Sequence, residues 1–120
     1  MIIGPPWVPE HTPDWFWTII ENAQGDREKL GQLATALPKD DLKDAFDFFM
    51  TLASFVMHED QDEDRAGDLA NWIVAQGKQQ YFAIYKHGQS PPSDAPTRHG
   101  AGFLGMLGRV YWDRFGEELS

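Results

Sequence analysis

The sequence predicts an all-α fold: a compact single-domain bundle of about six helices in orthogonal packing, with no sheet. Three observations carry that prediction. Apolar residues recur at spacings of three and four in every long segment. No stretch alternates apolar and polar residues for long enough to make a useful strand. The 120-residue length fits one domain, and 42% apolar residues supply enough material for a core.

The elements follow in chain order. Residues 1–11 carry Pro5, Pro6 and Pro9 and are expected to form an extended arm, with Trp7 and Val8 folded back as an apolar clip. Thr12 before Pro13 reads as a hydroxyl N-cap followed by proline at the first helical position, with Asp14 adding negative charge to the first turn. Phe16, Ile19, Ile20 and Ala23 form one stripe, and Gly25 is the expected stop. Asp26 is the next N-cap. Leu30, Leu33, Ala34 and Leu37 form the apolar face of a second helix, which Pro38 ends.

Asp40 and Asp41 open a third, longer helix that reaches to about residue 58. Its core face is Leu42, Ala45, Phe46, Phe49, Leu52, Ala53 and Val56. Phe48, Met50, Phe55 and Met57 widen that face, which predicts a central helix with neighbours on two sides. After the acidic turn HEDQDED at 58–64, a fourth helix runs from near Asp64 to Gly77 and a fifth over 78–86. The segment 69–85, LANWIVAQGKQQYFAIY, is the densest apolar block, with Gly77 taking a left-handed conformation at the break. Trp72 and Ile73 are expected in the middle of the core. Residues 87–100 hold three prolines and read as a loop. A last helix over 101–115 exposes glycine at every third position, Gly102, Gly105 and Gly108. Each costs roughly 1 kcal/mol against alanine, and close approach of another backbone would offset that. The predicted core is anchored by Phe16, Ile20, Leu37, Phe46, Phe49, Leu69, Trp72, Ile73 and Phe82.

Charge and composition narrow the function. Nineteen acidic residues against ten basic ones give a net charge of −9. Such a surface repels phosphate backbones and anionic lipid, so neither nucleic acid nor membrane is an expected partner. No apolar run approaches the roughly 20 residues of a membrane span, and no basic leader precedes an apolar run. With no cysteine, the chain has no disulfide, thiolate metal site or cysteine nucleophile, and a reducing, cytoplasmic location is expected.

The residues that could carry chemistry lack the required context. Asp60, Asp62 and Asp64 alternate like the opening of a calcium loop. The sixth position, which needs glycine, is Arg65, and the twelfth, which needs a bidentate glutamate, is Asn71. His11, His58, His87 and His99 show no helical pairing at four residues, so no metal or cofactor is expected. Ser54, Ser90 and Ser93 lie in no nucleophile elbow. The tryptophans remain. Trp15 and Trp17 are two apart and cannot both face one core, and Trp112 in YWDRF is a candidate for exposure.

The segments WFWTIIENA, GD, LATALPKDDL and NWIVAQGKQQYF resemble the helical bacterial family catalogued as domain of unknown function 4240. That family shows an F-W-x-x-I core, then GD, an L-P-x-x-x-L helix start and a W-L-I-x-x-G-K-x-x-F segment. The resemblance spans 15–86, and more loosely YWDRFGEEL at 111–119, with Phe16, Trp17, Leu37, Pro38, Leu42, Phe46, Trp72, Ile73 and Gly77 as matching positions. The family's serine and paired aspartates are here approximated by Asp62, Glu63 and Asp64. The resemblance implies an all-helical fold and no particular activity.

The function expected from these readings is a non-catalytic, acidic protein-binding module. Its most concrete form is an immunity or regulatory protein that docks on a basic partner through Glu59, Asp60, Asp62, Glu63 and Trp112. The alternative is an enzyme or small-ligand protein with a pocket under the 87–100 loop. The sequence leaves the oligomeric state open.

Overall fold

The longest helix forms where the apolar spacing is densest. In the computed structural model, which describes residues 8–56, 63–88 and 102–118 (backbone alone for 63–68), it spans Lys39–Phe55 and is α3. The other helices are α1 (Asp14–Ala23), α2 (Arg27–Thr35), α4 (Glu63–Ala75), α5 (Lys78–His87) and α6 (Phe103–Phe115). A single 3-10 turn, Pro9–His11, precedes α1, and no strand occurs among the described residues. The all-α single-domain bundle read from the sequence is the fold observed.

All seven positions of the α3 core face are buried. The helix packs against both α4 and α6, so it has neighbours on two sides. Gly108 of α6 lies against the Phe46 ring, and Lys39 reaches Glu117 just beyond α6, so α3 and α6 run antiparallel. At the far end of α3 the Tyr81 hydroxyl, buried on α5, donates to the Leu52 carbonyl at 2.7 Å. Leu52 lies in the last turn of α3, where carbonyls have lost their helical partners, so α5 caps α3 from the side. Burial pushes the Tyr81 hydroxyl pKa well above its usual value, so Tyr81 stays neutral and a donor.

Asp26 caps α2 as expected, accepting from the backbone N–H of Glu28 at 2.9 Å and of Lys29 at 3.4 Å. Thr12 does not cap α1. The Pro9–His11 turn ends with the Thr12 N–H donating to the Pro9 carbonyl, which leaves Pro13 in the cap position and Thr12 one residue short of it. The Thr12 side chain is buried instead, its hydroxyl without a partner among the described residues. That turn also corrects the extended arm at its inner end. Trp7 lies outside the described residues, and Val8 is half-buried. The stop of α1 is shared between Gln24 and Gly25, both with positive φ.

Gly77 departs from its expected left-handed conformation. Its φ of 104° and ψ of 175° fall in the mirror-extended region that glycine alone occupies readily. Its N–H donates to the Val74 carbonyl in α4 and its carbonyl accepts from the Tyr81 N–H in α5, so Gln76 and Gly77 alone join the two helices.

The tryptophan of the deep core is Trp17, 2% exposed, edge-on to Phe16 and against Tyr81 and Phe82. Trp72 is half-buried at the margin, as are Leu37, Leu69 and Phe82. Phe16, Ile20, Phe46, Phe49 and Ile73 are buried as predicted. Trp15 faces aside, half-buried and edge-on to Phe48. Phe48 does widen the α3 face, but Met50 and Phe55 are exposed at 46% and 42%, and Met57 lies outside the described residues. Close approach at the expected glycines is by side chains rather than backbone, the Arg27 Cδ lying 3.1 Å from where a Cβ would sit on Gly102 and the Phe46 ring 3.6 Å from that on Gly108. A Cβ on Gly31 of α2 would come within 2.9 Å of the Met106 sulfur, whereas Gly105 faces open space.

Candidate partner-binding surface

The outward face of α6 follows from helix geometry. Phe103, Met106, Leu107, Val110 and Tyr111 are buried, which leaves Gly105, Arg109, Trp112 and Asp113 on the opposite side. Trp112 is 53% exposed. Among the described residues nothing lies within 4 Å of where a Cβ would sit on Gly105 or Gly116, so they leave the backbone beside the indole bare. Arg109 and Asp113 form an exposed i,i+4 ion pair at 3.9 Å next to it. Met50, one turn after Phe46 on α3, is a second exposed large apolar side chain.

The end of α6 is held firmly. Lys39 pairs with Glu117 at 3.3 Å and lies over the rings of Tyr111 and Phe115. The Tyr111 hydroxyl donates to Glu117 at 3.2 Å, and Arg114 donates to the Leu37 carbonyl at the foot of α3. These ties fix the position of the helix that carries Trp112. On α3, Asp47 is half-buried, and desolvation raises its carboxyl pKa despite the opposing charge of Lys43.

Of the five predicted partner-binding residues, the structure places Trp112 at the surface. Glu59, Asp60 and Asp62 lie outside the described residues, and Glu63 opens α4 with its side chain not described. The calcium-like run is split, with Asp60 and Asp62 outside them and Asp64, Arg65 and Asn71 on α4, and the loop at 89–100, with Ser90, Ser93 and His99, lies outside them as well. Among the described residues no group of three or more His, Cys, Asp or Glu could hold a metal ion. Ser54 is exposed and spends its hydroxyl on the Thr51 carbonyl of its own helix at 2.6 Å. His11 ends the 3-10 turn and His87 ends α5.

A shallow cleft of about 380 Å³ opens at the α4–α5 joint, lined by Glu21, Gln76, Gly77, Lys78, Gln79, Gln80 and Ala83. The Glu21 carboxylate faces the first turn of α5 and accepts from the Lys78 N–H at 3.5 Å. The positive end of that helix is therefore already occupied by a charge of this chain. Sequence reasoning missed Met50 as a surface residue. The signal was present: Met50 lies about 100° round the helix from Phe49, which marks the middle of the core face, and so falls beyond Phe46 at the edge of that face. No protein-family model, curated protein or solved structure matches this chain.

Proposed function

We propose that this protein is a cytoplasmic, non-catalytic acidic module that docks on a basic protein partner, in the manner of an immunity or regulatory protein neutralising a basic toxin domain. The observation that carries this reading is Trp112. A half-exposed indole on a braced helix is costly to leave in water, and tryptophan is the side chain most enriched where partners anchor. The net charge of −9 supports a basic partner, which it would steer toward the surface. Kinship with the helical family named above is part of the same proposal. The burial of Phe16, Trp17 and Ile73 and the Gly77 joint, all motif positions, support it.

The test takes a partner recovered from the native host and compares three forms of the protein. Replacing Asp60, Asp62 and Glu63 by lysine should slow association and flatten its salt dependence while leaving dissociation nearly unchanged. Trp112→Ala should instead speed dissociation, by about tenfold or more if the indole is an anchor. A partner that is acidic, or whose binding ignores salt and both variants, would overturn the proposal.

A further inference from the structure

The outward face of α6 is complementary to itself. Its outer residues are Gly105, Arg109, Trp112, Asp113 and Gly116. Consider two antiparallel α6 helices related by a two-fold axis between Val110 and Tyr111. Gly105 then meets Gly116 of the second copy, Arg109 meets Trp112, and Asp113 comes beside Arg109. Every outer residue finds a counterpart within the same set, which is the requirement of an isologous interface. Each contact is also chemically favourable. A guanidinium over an indole face is the strongest of the cation–π pairings. Asp113 comes beside Arg109 of the second copy, so the exposed intrachain pair at 3.9 Å can be exchanged for two pairs between chains. The bare backbone at Gly105 and Gly116 lets the helices come close.

Charge favours this element for self-contact. The chain as a whole carries −9, yet the outward face of α6 balances Arg109 with Asp113. Two acidic molecules that meet here bring no excess of carboxylates together.

We propose that the outward face of α6 is the contact surface of a weak two-fold dimer of this chain, with Trp112 of each copy stacked on Arg109 of the other. One pair of helices buries an area at the small, transient end of the range for protein interfaces. The dimer covers Trp112, so self-association and binding of a basic partner compete. The dimer is tested on the purified chain alone, so its failure leaves the partner reading standing.

Sedimentation velocity over a concentration series should show a reversible monomer–dimer equilibrium for the parent. Trp112→Ala should shift it to monomer, as should Arg109→Asp and Asp113→Arg singly, because each single reversal sets like charges against each other at both symmetry-related contacts. An equimolar mixture of the Arg109→Asp and Asp113→Arg chains should recover the dimer as a heterodimer, since both contacts are then complementary. All three positions are exposed, and recovery in the mixture would show that the variant chains are folded. A parent that stays monomeric at every concentration, a dimer that persists in the single variants, or a mixture that fails to recover one would each overturn the proposal.

Discussion

Two tryptophans show how differently one residue type behaves by position. Trp17 is buried in an aromatic cluster with Phe16, Tyr81 and Phe82, while Trp72 sits half-buried at the core margin. Both indole N–H groups are buried without a partner among the described residues. Trp17→Ala should cost about 3–5 kcal/mol through the cavity it leaves, and Trp72→Ala distinctly less. Chemical denaturation of the two variants checks the order, which is the reverse of the one the sequence suggests. Asp47 gives a prediction in pH. Partial burial raises its carboxyl pKa above the unfolded value, so the contribution to stability is present in acid and is lost as pH rises through the folded value. Asp47→Asn should therefore be more stable than the parent at neutral pH. The difference should close below about pH 3.9, where an unfolded aspartate is also protonated. Melting both proteins across that range tests the sign.

At the scale of elements, two glycines with the same side chain have opposite consequences. Gly77→Ala forces a Cβ into a backbone region closed to it and to within 3.0 Å of the Glu21 Cγ, and should cost about 1–3 kcal/mol. Gly105→Ala lies in a helix, with open space where the Cβ would go, and should raise stability by about 0.5–1 kcal/mol. Thermal melts of the two variants should move in opposite directions. The same contrast shows what the sequence could reveal. The order of helices, the Asp26 cap and the whole core face of α3 were legible, because apolar spacing and capping chemistry are local properties. Thr12 was misread because a 3-10 turn three residues upstream moved the helix start. The conformation at Gly77 was misread because it depends on how α4 and α5 are joined in space. Trp112 could be named as a candidate, but its exposure depends on which face of α6 the neighbouring helices leave open.

At the scale of the molecule, charge and tertiary ties are distributed differently. The acidic excess belongs to the surface and acts on encounter with other molecules, which is why the triple lysine reversal is expected to alter association and spare the fold. The ties run between elements distant in sequence, and the bond from Tyr81 to the Leu52 carbonyl spans 29 positions. That bond makes the end of α3 and the middle of α5 open together. Amide hydrogens near Val56 and those around Tyr81 to Tyr85 should then exchange with deuterium at one shared opening free energy, as a single cooperative unit. Tyr81→Phe should split it: the end of α3 would exchange sooner, by about 1–2 kcal/mol in opening free energy, because the Leu52 carbonyl is left buried without its donor. Unchanged protection at both places would show that packing alone couples the two helices.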